Sequence, residues 1–198
     1  MKYNNIKTYA EKYAVPIMRN NTAELISNFV NQNNPSHILE IGTAIGYSGI
    51  IMLENSKADL TTIEHNSNYI KIAKANFKQH KLNKRVKILK GDCLVILAKL
   101  ACNRKNHGFF DIIFLDGPKA QYENMLELII LLLKTNGVLI VDDVLFHKYL
   151  NQEGKVSRRF KTIESRLKNF IEKCKTHPKL TNFKIHEIDD GVIFARKG

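Results

Sequence analysis

Two adjacent carboxylates, Asp142 and Asp143, end the apolar stretch GVLIVDD (137–143). Such a stretch is typical of a buried strand, where charges need a partner of opposite charge. Asp116 ends a second apolar stretch in the same way, and the carboxyl ends of parallel strands meet at one edge of a sheet. Three carboxylates in one cleft repel each other unless a hard cation such as Mg²⁺ binds between them. The pattern therefore predicts a divalent metal site at Asp116, Asp142 and Asp143.

Two of these carboxylates also have an ordinary structural explanation. Asp143 could cap a following helix, and Asp116 could begin the turn at Gly117-Pro118. Either explanation accounts for one residue, but neither accounts for an Asp-Asp pair that ends a buried strand. We therefore favour the metal site.

Polar residues also follow the strands of the N-terminal half. The stretch EIGTAIGYSGI has glycines spaced G-x3-G-x2-G, unlike the dinucleotide fingerprint GxGxxG. Gly42 permits a tight turn after the first strand, and Ser48 with the N–H groups of the next helix could hold a carboxylate. Glu64 ends the second strand and suits two ribose hydroxyls, while Asp92 ends the third and suits an adenine amino group.

Singly, these residues are explained equally well by a tight strand–helix turn and by solvated strand ends. Together they stand at consecutive strand ends, in the order that a nucleoside cofactor requires. The glycine spacing, which lacks the pyrophosphate fingerprint, favours S-adenosylmethionine over NAD.

The strands and helices that position these residues alternate along the chain. Apolar runs predict strands at 37–42, 60–65, 86–92, 111–116 and 137–143, with helices at 47–55, 67–80, 94–101 and 122–135 between them. Segments 182–188 and 191–197 flank Asp-Asp-Gly and predict a hairpin. Two helices are expected within 1–34. The predicted fold is a single domain over 1–198, a doubly wound, Rossmann-like α/β fold. Its mostly parallel seven-stranded sheet ends in an antiparallel hairpin.

The net charge of +12 favours an anionic partner such as nucleic acid, although a lysine-rich composition alone is also common in AT-rich genomes. Three of the seven arginines lie in a predicted basic helix over 155–176. We interpret this helix as a phosphate-binding face, and the alternative is an ordinary solvated helix face. The residues predicted to contact RNA are Lys155, Arg158, Arg159 and Arg166.

The three cysteines are widely spaced, and no apolar run has the length of a membrane span. The first residues lack the apolar stretch of a signal peptide. We expect a cytoplasmic protein with reduced thiols and no membrane contact.

The motifs HILEIGTAIGYSGI, TTIEHN, GDC, FLDGPKAQY and IVDDVLF resemble those of the catechol-O-methyltransferase-like, metal-dependent O-methyltransferases. Within this family the chain is most similar to bacterial enzymes that methylate 5-hydroxyuridine at the wobble position of tRNA, in YAVPIM, EIGTAIGYS, DDVLF and the basic segment. The resemblance implies S-adenosylmethionine, Mg²⁺ or another divalent cation, tRNA as partner, and a homodimer. It implies cofactor contacts at Met18, Glu40, Gly42, Ser48, Glu64, Asp92, Cys93 and Asp116. For Cys93, a small core residue is an equally good reading.

The resemblance also implies that Lys119 and Asp116 are catalytic. Lys119 matches the family's catalytic lysine, which accepts the proton or holds the oxyanion; a solvated loop lysine is the alternative. A cation bound there would lower the pKa of the acceptor hydroxyl, and in-line transfer of the sulfonium methyl to that oxygen would then depend mainly on positioning. The family generally carries Asp-Asn where this chain has Asp142-Asp143, and the extra charge bears on metal affinity and choice.

Two other classes of function stay open. A small-molecule catechol or phenol O-methyltransferase would use the same metal site but would gain nothing from the clustered arginines. A catalytically silent RNA-binding module would have no use for Asp116, Lys119, Asp142 and Asp143 together.

Overall fold

The computed structural model describes residues 3–145 and 158–198, with side chains from residue 161 onward in the second range. The chain divides into two compact units, Met1–Ile96 and Leu97–Gly198. Lys155 lies outside the described residues. No helix within the described ranges is long and apolar enough to cross a membrane.

The strands form a seven-stranded mixed sheet, which confirms the predicted fold class. In the first unit the strands are parallel and have the order β3-β2-β1. These strands are β1 (His37–Ile41), β2 (Asp59–Glu64) and β3 (Val86–Lys90). The first five helices are α1 (Asn4–Lys12), α2 (Asn20–Asn33), α3 (Tyr47–Glu54), α4 (Ser67–Gln79) and α5 (Cys93–Cys102).

In the second unit the order is β4-β5-β7-β6, where β4 and β5 are parallel and β7 is antiparallel to both of its neighbours. This arrangement confirms the predicted terminal hairpin. The elements are β4 (Phe110–Leu115), α6 (Tyr122–Leu132), β5 (Leu133–Asp142), α7 (Arg158–Thr176), β6 (Leu180–His186) and β7 (Val192–Lys197). Short 3₁₀ turns span Arg104–Asn106 and Lys119–Gln121.

The boundary between α6 and β5 differs from the prediction of a helix over 122–135. The helix ends at Leu132. There the ammonium of Lys197 donates hydrogen bonds to the carbonyls of Ile130 (2.7 Å) and Leu133 (2.6 Å). Asn136 has a left-handed φ of 63°, and the pairing of β5 with β4 shifts register there. An uninterrupted apolar run looks the same in a helix and in a strand, so the sequence does not locate this boundary.

The central strands are buried along most of their length, as a sheet covered on both faces requires. In β1 the four residues from Ile38 to Ile41 are buried, and in β5 the six from Gly137 to Asp142 are buried. Two of these buried positions carry carboxylates, Glu40 and Asp142. The strands therefore deliver charged groups to places where their partners must come from the protein or from a ligand.

Candidate functional site

The turn between β1 and α3 needs glycine for conformational reasons. Gly42 has a φ of 105°, and Gly46, the residue before α3, has a φ of 86°. Residues with a Cβ rarely adopt these positive φ angles. A Cβ at Gly46 would also lie 3.1 Å from the ring of Phe77. The turn therefore brings the first N–H groups of α3 to the end of β1, as the sequence predicted.

Glu40 is fully buried and connects three elements of the first unit. Its two carboxylate oxygens accept hydrogen bonds from the hydroxyls of Ser48 and Thr62, each at 2.5 Å. These bonds join β1, α3 and β2 at the turn. Since the hydroxyl hydrogen of Ser48 is given to Glu40, a ligand carboxylate at the start of α3 would rely on backbone N–H groups. The predicted cofactor contacts of Glu40 and Ser48 stay predictions.

Glu64 ends β2 as a fixed, buried acceptor, so the reading of a solvated strand end is wrong. It is 8% exposed, and its Oε1 accepts the N–H groups of His65 (2.9 Å) and Asn66 (2.8 Å). Its Oε2 accepts the N–H of Ala44 at 3.0 Å. A carboxylate oxygen can accept two hydrogen bonds, so Oε2 retains capacity for a ligand hydroxyl.

The remaining predicted cofactor residues of the first unit have mixed environments. Asp92 is exposed, and its Oδ1 accepts the N–H of Val95 at 3.1 Å, so it caps the start of α5. Cys93 and Met18 are buried. Burial, followed by the charge of Asp92, raises the pKa of the Cys93 thiol, which suits both an apolar wall and a core residue.

In the second unit, Asp142 ends β5 as a buried acid. Its Oδ1 accepts the N–H of Asp143 at 2.8 Å. Burial first, and the charge of Asp116 second, raise the pKa of Asp142 to about 7. The carboxylates that follow β4 and end β5 therefore repel each other, as the sequence predicted.

Lys119 is not a solvated loop lysine. Its ammonium lies 2.7 Å from Oδ2 of Asp143, and the two side chains are only 10% and 12% exposed. Asp143 has a left-handed φ of 59°, a conformation that Asp and Asn tolerate better than most residues. The charge of Asp143 is therefore balanced by a lysine of the same chain.

The predicted metal site is not assembled as a set. Within residues 3–145 and 158–198, no group of three or more His, Cys, Asp or Glu side chains is placed to hold a metal ion. Carboxylate oxygens are nevertheless the donors that Mg²⁺ prefers, and the repulsion between Asp116 and Asp142 is what a cation would relieve. The donor chemistry thus fits a hard cation, and at Asp143 such a cation would compete with Lys119.

Sequence reasoning missed one residue of this site, Tyr122. It is fully buried, its hydroxyl donates to the carbonyl of Gly117 at 3.2 Å, and the Gly117 N–H donates back to it at 3.1 Å. The Lys119 ammonium lies 5.9 Å from the centre of its ring. Its place at the end of the motif FLDGPKAQY was the available signal.

The predicted basic helix corresponds to α7, which begins at Arg158 and has Arg159 as its second residue. Arg166 donates from Nη1 to the carbonyl of Ala120 at 3.1 Å, and Lys173 pairs with Glu123 at 2.9 Å. Part of the positive charge of α7 therefore serves contacts within the protein. The exposed lysines of the helix are Lys161, Lys168, Lys173 and Lys175.

The chain is similar to known proteins in sequence and in fold. The O-methyltransferase family matches over residues 2–198. A Staphylococcus aureus protein named as a presumed caffeoyl-CoA O-methyltransferase is 32% identical, with a TM-score of 0.87 over 100% of this chain and 93% of that one. The catechol O-methyltransferase of Niastella koreensis is 30% identical over 61% of this chain and 52% of its own. A Bacillus cereus O-methyltransferase solved with S-adenosylhomocysteine shares the fold at 22% identity, with a TM-score of 0.81 over 98% and 90% of the chains.

The chain spans about half the length of the curated relatives that it matches. The family match, in contrast, extends over nearly every residue of this chain. The chain belongs to the O-methyltransferase family.

Proposed function

We propose that the protein transfers the methyl group of S-adenosylmethionine to a hydroxyl oxygen of an acceptor. The observation that carries this proposal is the nearly buried ion pair of Lys119 and Asp143 beside the repelling carboxylates of Asp116 and Asp142. The ammonium of Lys119, together with a cation bound by the carboxylates of Asp116 and Asp142, would suit the stabilisation of an oxyanion.

The cofactor part of the proposal rests on the first unit. Glu64 is held by three backbone N–H groups and retains acceptor capacity at Oε2, which suits a ribose hydroxyl. The helix start after Gly46 offers N–H groups to the carboxylate of the methionine part. Family membership supports S-adenosylmethionine as the methyl donor.

At the ends of β4 and β5, the carboxylates Asp116, Asp142 and Asp143 would hold Mg²⁺ or another divalent cation. When bound, the cation would supply positive charge that lowers the pKa of the acceptor hydroxyl. Lys119 presents an ammonium through its ion pair with Asp143. In that form it holds the oxyanion by charge, whereas a proton acceptor would have to be the neutral amine.

For the acceptor we propose tRNA, with methylation of O5 of 5-hydroxyuridine at the wobble position to give 5-methoxyuridine. The net charge of +12 and the exposed lysines of α7 support a polyanionic substrate. The resemblance of the sequence motifs to the tRNA-modifying branch supports the same choice.

A small phenol or catechol is the second candidate acceptor. The relatives named for catechol and caffeoyl-CoA favour it. So do the internal contacts of Arg166 and Lys173, which account for part of the positive charge of α7 without RNA.

The deciding experiment measures methyl transfer from labelled S-adenosylmethionine to total tRNA that lacks the modification, followed by nucleoside analysis. Catechol is tested in parallel, each with Mg²⁺ and with EDTA. Label in 5-methoxyuridine supports the tRNA proposal, and label in catechol alone supports the second candidate. The matched variants are Lys119→Met, expected to retain only a small residual rate, and Lys134→Met. The latter removes the exposed lysine of another Lys–Asp pair, with Asp111 at 2.9 Å, and should retain activity.

A further inference from the structure

Tyr122 is a buried tyrosine whose hydroxyl both donates to and accepts from the backbone of Gly117. Both the N–H and the carbonyl of Gly117 bond to it, at 3.1 and 3.2 Å. Tyr122 is the first residue of α6, and its side chain has no exposed surface. Burying a hydroxyl is costly unless it is hydrogen-bonded, so this double contact fixes the position of Gly117 relative to α6.

The segment fixed in this way carries the proposed chemistry. Gly117 directly follows Asp116, and Lys119 comes two residues later at the start of the 3₁₀ turn. The turn is closed by the N–H of Gln121, which donates to the carbonyl of Pro118 at 2.8 Å. The ring of Tyr122 also lies 5.9 Å from the Lys119 ammonium, within the range of a cation–π contact.

Helix α7 supports the same segment. The ring of Phe170 packs edge-on against Tyr122, with 5.2 Å between ring centres, and Arg166 bonds the carbonyl of Ala120. Arg166, Phe170 and Lys173 are spaced four and three residues apart, so they lie on one face of α7. This face contacts positions 120, 122 and 123 in sequence.

We infer that Tyr122 is a positioning residue, whose hydroxyl holds the segment from Asp116 to Lys119 so that the ammonium reaches Asp143. The catalytic part of this inference rests on the proposed function, methyl transfer. Tyr122 itself touches no reacting atom in this assignment. It acts through the geometry of Lys119.

The test is Tyr122→Phe, which keeps the ring, its burial and its contact with Phe170 but removes the hydroxyl. The rate kcat, normalised to sites that bind S-adenosylmethionine, should fall about 10- to 100-fold, since misplacement by 1 Å costs on that order. KM for the cofactor should stay unchanged. In a Lys119→Met background the same substitution should lower the residual rate no further, because residues that act as a unit are not additive. An equal loss in both backgrounds would show a merely structural role and overturn the inference.

Tyr3→Phe is the matched control. It removes another tyrosine hydroxyl bond, to Glu54 at 2.5 Å, in the first unit, and should leave kcat per competent site unchanged. If the wild type transfers no methyl group to any acceptor, the proposed function fails, and the positioning of Lys119 is then tested by melting temperature. The shifts caused by Tyr122→Phe and Lys119→Met should be non-additive. Additive shifts would overturn the inference independently of activity.

Discussion

The ammonium of Lys119 and the carboxylate of Asp143 form an ion pair at 2.7 Å in which both side chains are nearly buried. The family that the motifs resemble generally has Asn at this position. Asn would accept a hydrogen bond from Lys119 but would not balance its charge. The departure from the family pattern thus supplies the negative charge that balances the predicted catalytic lysine.

Asp143→Asn should therefore remove the ion pair that holds the Lys119 ammonium, while leaving the backbone unchanged. Asn tolerates the left-handed φ of 59° as Asp does, so only the charge is removed. We expect the free energy of unfolding to fall by about 1.5–3 kcal/mol, the scale of hydrogen bonds to charged groups. Urea unfolding measures it. The control is Asp111→Asn, which removes the charge from a pair whose lysine is 57% exposed and should cost less than about 1 kcal/mol.

Asp142→Ala should abolish methyl transfer while the protein stays folded, because it removes a carboxylate from the proposed cation site. EDTA should inactivate the wild type, and excess Mg²⁺ should restore it. Methyl transfer to the best acceptor is measured, with circular dichroism as the check of folding. Full activity of the wild type in EDTA would contradict the requirement for a metal.

Without divalent cations, stability should decrease as the pH rises from about 4 to about 7. The pKa of Asp142 is about 7 in the folded protein, against an ordinary value of 3.8, so the folded state binds more protons than the unfolded state in this window. Its contribution is fully present below about pH 4 and is lost as the pH rises through 7, by about 4 kcal/mol, at about 1.4 kcal/mol for each unit of pKa difference. Denaturant unfolding at several pH values, compared with Asp142→Asn, measures this. A wild type whose pH dependence matches that of the variant would contradict the raised pKa.

The strand ends were predictable because buried apolar runs that stop at a charged residue are visible in the sequence. Glu64, Asp116 and Asp142 were found in this way. The pair of Lys119 and Asp143 was not, because it depends on the left-handed backbone at Asp143 and on the 3₁₀ turn that begins at Lys119. The bonds between Tyr122 and Gly117 span only five positions, yet they too require that turn, which periodicity does not reveal.

Glu64→Ala should weaken the binding of S-adenosylmethionine by about 1.5–3 kcal/mol, the scale of hydrogen bonds to charged groups. The substitution removes the proposed ribose acceptor and also releases the N–H of Ala44 in the turn after β1. Titration calorimetry measures the affinity. Asp59→Ala, at the exposed opposite end of β2, is the control and should bind as the wild type does. Unchanged affinity in Glu64→Ala would place the ribose elsewhere.

If α7 is an RNA-binding face, its arginines should differ in their effects on tRNA binding and on kcat. Arg158 and Arg159 are expected to meet phosphates only, so changing both to Ala should flatten the dependence of log K for tRNA on log[salt] by about 1.4–1.8, at 0.7–0.9 per contact. Cofactor affinity should not change. Arg166→Ala should flatten the slope by about 0.7–0.9 and should also lower kcat, because Arg166 bonds Ala120 beside Lys119.

Arg196→Ala is the matched control for Arg166. Arg196 also donates to a backbone carbonyl, that of Asn136 at 2.6 Å, but it lies on β7 outside the basic helix. Its removal should alter neither the salt slope nor kcat. Salt titrations of tRNA binding for the wild type and the variants measure the slopes. If all slopes are identical, α7 is a solvated surface that supports the Lys119 segment, and a small phenol becomes the better acceptor.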